Sequence, residues 1–472
     1  MDTLPYELVE RIVHDAIYNP GKGGWFGGLA LMRRRSHHEP EAARIAATCR
    51  TFQKAVESKT FNDIDLDRSR LSEAKEILSR VPHRAQVITK INFKGNSRGG
   101  KHEVQTFARD VNALFDFLAW LRSKLRPLQS MALTIDGLSF HRAFDSQSPL
   151  HYLDSPYCDP SRLSFVSDLS LWRAGMPECT IPETLRCITS KFANLETLSW
   201  GFWEWEHDLV RGRAHRSGWF NHSTYIPVSS NIFLGIANSF DQIPASVKTF
   251  DFFYDYMPNI PKYNHVDPPT LRVIQGGVEE ELTFKTYQTS QKLEKVDYKL
   301  SVCSAQLFWP DKVSQEQLPY WPHLREYYVE YRLCTPAQQQ LFQLENISPE
   351  PEYPDPRETT IEQFIELLCR IKPIESRLNQ FYLAVALAIA RMPKLEYMKI
   401  ELDAQYHEIA DPHQFSFDVG GRTAIATWHC SEFIPDSEVI DTMKKAAYHR
   451  DLELVVRYTS SAQEYKEADE ME

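Results

Sequence analysis

The chain has 472 residues, with 64 Asp and Glu against 53 Lys and Arg and a net charge of −11. That length exceeds one ordinary compact core, so several domains or an elongated repeat array are expected. The composition is globular, and the acidic balance argues against general nucleic-acid binding, which needs a basic stripe.

Residues 4–18 read LPYELVERIVHDAIY. Leu4-Pro5 opens a helix, because Pro has a fixed φ and no N–H to lose in the first turn. Leu8, Ile12 and Ala16, with Val9 and Val13 beside them, make an apolar stripe at helical spacing. A second amphipathic helix falls within 45–66: Ile45, Cys49, Phe52 and Val56 share a face, Phe61 follows, and Ile64 and Leu66 begin an alternating segment. Residues 19–43 between the helices hold GKGGWFGG, then Arg33-Arg34-Arg35 and His37-His38. Two short helices bury too little apolar surface to stand alone. Either they cap a larger core, or another protein completes their apolar face.

Next come a helix at 72–79, a strand at 86–93 (QVITKINF) and a strong helix at 104–124, with Phe107, Val111, Leu114, Leu118 and Leu121 on one face. A short pattern then recurs: LQSMALTI at 128–135, FVSDLSL at 165–171, LETLSW at 195–200, VKTFDF at 247–252, a variant at 271–274, LEKVDY at 293–298, LREYYV at 324–329 and LEYMKI at 395–400. The first apolar residue is an anchor, and the next two face one side of a short strand. Some neighbours lie about 22 to 31 residues apart, close to a leucine-rich period, and others are much further apart. The pattern predicts irregular strand–helix units with insertions; the alternative is a compact α/β domain whose strands share an apolar pattern.

Residues 200–223 (WGFWEWEHDLVRGRAHRSGWFNHS) read as an insertion. Trp203, Trp205 and Trp219, with Arg211 and Arg213, are candidates for contacts with a target, since aromatics and Arg anchor interfaces. The same segment folded onto the array is the alternative. Glu279-Glu280-Glu281 reads as a solvated turn. Residues 349–360, beginning PEPEYPDP from 349, form a Pro- and acid-rich linker. Helices follow at 361–371 and 378–392, the second apolar almost all round and therefore buried. A hairpin at 414–429 turns at Gly420-Gly421. A helix at 439–449, a strand at 452–458 and a polar, acidic tail at 460–472 complete the chain.

Catalytic motifs are missing. Gly21-Lys22-Gly23-Gly24 lacks the strand and hydroxyl of a phosphate loop. His429 and Cys430 are neighbours on a strand and point to opposite faces. The eight cysteines form no C-x-x-C pair and have no zinc spacing, so they read as reduced, buried small hydrophobes. No metal, cofactor or catalytic residue is assigned. No apolar span is long enough for a membrane helix, and the start of the chain lacks a secretory h-region, so cytoplasm or nucleus is expected.

Leu-Pro, an aliphatic helix, a Cys-Arg-x-Phe helix (Cys49, Arg50, Phe52) and a terminal Phe61 before an alternating strand resemble the F-box. The LFWP from Leu307, the WPHL from Trp321, the MPKLEYMKI from Met392 and the closing hairpin, helix and strand resemble the C-terminal half of a group of fungal F-box proteins. The resemblance implies an α/β chain. An F-box-like helical module at 1–66 precedes an irregular leucine-rich-repeat-like solenoid at 67–348, continued at 361–459. It implies docking to a Skp-type adaptor, and through it a cullin, by Leu4, Pro5, Leu8, Ile12, Ile45, Cys49, Phe52, Val56 and Phe61, while the repeats hold a protein target. The alternative is a non-catalytic scaffold with no part in ubiquitination.

Overall fold

Alternation with period two gives each strand one apolar and one polar face, and a short apolar anchor before each strand fixes where it starts. The computed structural model describes residues 46–47, 49–95, 103–126, 129–136, 163–174, 185, 187–205, 236–257, 278–300, 304–310, 318–331, 341–345, 370–402, 413–430 and 433–459. Leu4, Pro5, Leu8, Ile12, Ile45, Arg211, Arg213 and Trp219 lie outside them, as do the insertion at 19–43, the variant at 271–274, the linker and the tail.

The fold is mixed α/β. The strands are β1 (Asp63–Asp67), β2 (Lys90–Lys94), β3 (Met131–Asp136), β4 (Val166–Ala174), β5 (Thr197–Trp205), β6 (Thr249–Met257), β7 (Lys295–Leu300), β8 (Glu326–Tyr331), β9 (Phe342–Glu345), β10 (Arg370–Pro373), β11 (Tyr397–Leu402), β12 (Gln414–Gly420), β13 (Thr423–His429) and β14 (Glu453–Thr459). Twelve of them form one sheet in chain order, from β1 to β8 and then β11 to β14. Every neighbour pair is parallel except β11–β12 and β12–β13. β9 and β10 pair antiparallel as a separate ribbon. The main helices are α1 (Arg50–Thr60), α2 (Leu71–Arg80), α3 (Pro82–Ala85), α4 (Glu103–Arg122), α5 (Val278–Ser290), α6 (Glu375–Ile389) and α7 (Ser437–Tyr448).

The recurring pattern has a literal structural meaning. Anchors Leu195, Val247, Leu293, Leu324 and Leu395 are all buried. Each strand from β5 to β8, and β11, starts two residues after its anchor. Their first residues, Thr197, Thr249, Lys295, Glu326 and Tyr397, are in mutual register. One entry turn repeats between them. The Glu196 carbonyl accepts from the Lys248 and Thr249 amides at 2.8 and 3.0 Å, and the Lys248 carbonyl from Glu294 and Lys295 at 2.8 and 3.1 Å. The carbonyls of Glu294 and Arg325 do the same for the next two strands. Ion pairs cross the same seams: Lys248–Glu196 at 3.2 Å, Lys295–Glu326 at 2.5 Å and Arg325–Glu396 at 2.5 Å. Such exposed pairs add up to about 1 kcal/mol each, so they tune register more than they hold the fold.

The apolar rows face the helices. One row runs Leu66, Phe93, Ile135, Leu171, Trp200, Phe252, Tyr298, Val329, Ile400, Phe415 and Trp428, and all are buried. The Trp200 ring meets Phe240 edge-on at 5.7 Å, and the Tyr298 hydroxyl donates to the Thr286 carbonyl of α5 at 3.2 Å. Trp321 Nε1 donates to Ser290 Oγ at 2.8 Å, which satisfies a fully buried indole. Tyr382 of α6 packs on Phe415 and Trp428 at 5.4 and 5.9 Å. α6 is buried on most sides, as its composition requires.

Three expectations change. Trp200 does not open an insertion: β5 runs on to Trp205, and Trp200 and Phe202 are core residues. The aromatic density there follows period two, which makes it a long strand. Ile371 belongs to β10, paired with Leu344, and not to a helix. Pro373 ends that segment, since it has no N–H to donate. The Glu279-Glu280-Glu281 run lies in the first turn of α5 and not in a turn between elements. The hairpin forms as expected but turns on Gly421 and Arg422, and Gly421 has φ +63°, the conformation glycine accepts without strain. Asp436 caps α7, its side chain accepting from the Val439 amide at 3.1 Å.

Candidate docking surfaces

α1 carries the described part of the N-terminal helical module. Phe52, Ala55 and Val56, at 8%, 0% and 5% exposure, form a small core of their own with Ala46 and Cys49 packed against it. This core is separate from the one beneath the sheet. Phe61 sits apart from it. It packs against the sheet's core, with the Arg84 guanidinium 5.0 Å above its ring.

One carboxylate joins the two bodies. Glu57 is buried on α1 and accepts from Arg84 Nη2 at 2.5 Å and Gln53 Nε2 at 2.9 Å; His83 Nε2 lies 2.7 Å from its other oxygen. Burial works to raise its pKa, but the hydrogen bonds from Arg84, Gln53 and His83 outweigh this and hold Glu57 below its ordinary value. His83 and Arg84 both lie on the short α3, which leads into β2, so this joint ties α1 to the first units of the sheet. The sequence offered no local signal for it, because the partners lie 26 and 27 residues apart.

The second surface is the polar face of the sheet. Its three rows begin at Asp63, Asp65 and Asp67 of β1 and run strand to strand in register. Across the twelve strands they present eleven carboxylates against six Lys and Arg. At the middle, Asp251 of β6 and Asp297 of β7 are direct register partners. Like charges placed this way repel. Ser199 Oγ donates to Asp251 at 2.8 Å, and Asp297 Oδ1 is buried with no hydrogen-bond partner. Burial, and then the Asp251 carboxylate beside it, push Asp297 up to about 6; burial also raises Asp251, against the Ser199 hydrogen bond.

Two cations flank Asp297 on β7, where they attract Asp251 and Asp297 and are shared with the next strand. Lys295 and Lys299 pair with Glu326 and Glu330 of β8 at 2.5 and 2.9 Å. Further on, the Tyr328 hydroxyl donates to Glu401 at 2.7 Å, with Lys299 and Lys399 on its ring at 5.9 and 5.5 Å. On the other flank, Trp172 and Phe253 lie 6.4 Å apart on either side of Gly201. A Cβ at 201 would come within 2.3 Å of the Trp172 ring, so glycine is what lets the indole lie over β5. Trp203 and Trp205 are positions on β5, with Trp203 in register with Ala174 and Asp255. Period-two reading of the strands would have found these rows, but not the meeting of Asp251 and Asp297, which depends on register.

Among the described residues no group of three or more His, Cys, Asp or Glu is placed to hold a metal ion. Among the described residues no helix is long and apolar enough to cross a membrane. No protein-family model matches the chain, and no curated protein matches it.

Proposed function

We propose that the chain is a substrate-receptor subunit of a Skp–cullin–F-box type ubiquitin ligase. In this reading the first sixty-odd residues form an F-box-like module that docks a Skp-type adaptor through Leu4, Pro5, Leu8, Ile12, Ile45 and the α1 residues. The sheet and its helices are an irregular leucine-rich-repeat-like solenoid that holds a protein target. The receptor has no chemistry of its own; it raises the effective concentration of the target near a charged conjugating enzyme. The observation that supports this best is the division of labour around α1. A helix with its own small apolar core is joined through the Glu57 cluster and Phe61 to a serial sheet of in-register units. Purified chain mixed with a Skp-type adaptor tests it: the wild type co-elutes, and a Leu4→Ala/Pro5→Ala variant does not. Failure of the wild type to co-elute refutes the reading.

A second reading rests on the burial of Phe52 and Val56 in the chain alone. Side chains already covered favour a helical cap on a non-catalytic scaffold. In that case removing residues 1–61 lowers the stability of the sheet, whereas a docking module can be removed with little effect on it.

A further inference from the structure

The polar face of the sheet keeps an arrangement that folding alone does not favour. Asp251 and Asp297 occupy adjacent register positions on parallel strands about 4.8 Å apart. Replacing either by a neutral residue would remove repulsion at no loss of core packing, since both lie on the polar rows. Lys295 and Lys299 flank Asp297 and attract the pair, but are shared with Glu326 and Glu330 on the next strand. One buried oxygen of Asp297 is left without a hydrogen bond. An aromatic pair, Trp172 and Phe253, stands beside Asp251, brought together over Gly201. The whole face is acidic, with eleven carboxylates against six cationic side chains.

We propose that this face binds a basic segment of a partner protein, seating an arginine between the Asp251–Asp297 pair and the Trp172–Phe253 rings. A guanidinium is the group these features complement. Its planar fork spans two carboxylates, its plane stacks on an aromatic ring, and it sheds water more readily than an ammonium. A divalent cation fits less well, because no third carboxylate, His or Cys is placed to complete a site among the described residues. The proposal deepens the receptor reading, since it names the face on which the sheet would hold a target, yet it stands or falls on a different experiment from adaptor capture.

The probe is a fluorescein-labelled peptide of alternating Arg and Gly, titrated with the full chain and followed by anisotropy; a Glu–Gly peptide is the comparison. The Arg peptide binds and the Glu peptide does not. The Asp251→Asn/Asp297→Asn variant weakens binding at least tenfold, while Glu73→Gln/Glu76→Gln, which removes the same charge from α2, leaves it unchanged. Melting curves confirm that both variants fold. Equal loss in both variants would mean attraction to net charge and would overturn the proposal, as would no binding by the wild type. A calcium-induced melting shift that the Asn pair abolishes, with peptide binding intact, would assign the carboxylates to a metal and also overturn it. Adaptor capture by the Asn pair stays at the wild-type level, so failure of this proposal and failure of the receptor reading are separate results.

Discussion

His413 stands just before β12, buried among aromatic rings. Its ring packs against Phe342 at 5.2 Å, Tyr382 at 5.8 Å and Phe433 at 5.9 Å. Nδ1 lies 3.3 Å from the Tyr331 hydroxyl, and Nε2 is buried without a partner. Burial lowers its pKa from 6.5 to about 4, so the folded state holds a neutral imidazole. An unfolded chain takes up the proton first. The stability that His413 supports is therefore complete above about pH 6.5 and is lost as the pH falls towards 4. Linkage puts the loss at about 1 kcal/mol at pH 6, about 2 kcal/mol at pH 5 and about 3 kcal/mol at pH 4. The test compares wild type with His413→Phe, which keeps the aromatic packing and cannot titrate, by urea unfolding across that range. The two differ by about 1 kcal/mol or less at pH 7.5, and the variant gains on the wild type with the stated slope as acid is added. A difference that stays flat between pH 7.5 and 5 would refute the buried neutral imidazole.

Three further outcomes follow from the surfaces. Asp297→Asn stabilises the protein at neutral pH, by about 1 kcal/mol after allowing for the half-exposed setting, and its advantage shrinks as the pH falls below 6; chemical denaturation reads both. The sign is opposite to that of His413 because a raised carboxyl pKa makes the folded state the better proton acceptor. Glu57→Ala leaves Arg84 and His83 without their carboxylate and loosens α1 by about 2 kcal/mol. Limited proteolysis at Arg50 or Lys54 accelerates at least tenfold, while unfolding of the sheet is unchanged. As Glu57 is held below its ordinary value, the wild-type joint is intact above the usual carboxylate range and opens as acid is added below it. Gly201→Ala drives the Trp172 ring off β5 at a cost of about 1 to 3 kcal/mol, since the added Cβ overlaps a rigid indole. A red shift in tryptophan emission reports the displaced ring, and an unchanged spectrum argues against the packing described.

Much of the fold was legible because its logic is local. Leu195, Val247, Leu293, Leu324 and Leu395 each announce a strand two residues later, and period-two alternation then fixes which side chains are buried. The hairpin of β12 and β13 was legible from two glycines, although only Gly421 takes the positive φ. What was missed depends on tertiary context. The extension of β5 through Trp205 looked like an interface loop, because aromatic density signals both a long strand and a binding segment. Arg370 and Ile371, the end of the helix expected at 361–371, pair with β9 instead; 361–369 lie outside the described residues. The Glu57–Arg84 joint and the Asp251–Asp297 pair are contacts between distant residues, set by register and packing that no single stretch encodes.

The receptor reading rests on a helical module at the start of the chain that docks an adaptor while the sheet faces a target. The most direct measurement is the affinity of the purified full chain for a Skp-type adaptor by isothermal titration, with Leu8→Asp as the paired variant. Saturable one-to-one binding by the wild type and its loss in the variant are expected, with the sheet's unfolding transition unchanged. Absence of heat from the wild type, or equal binding by Leu8→Asp, contradicts it.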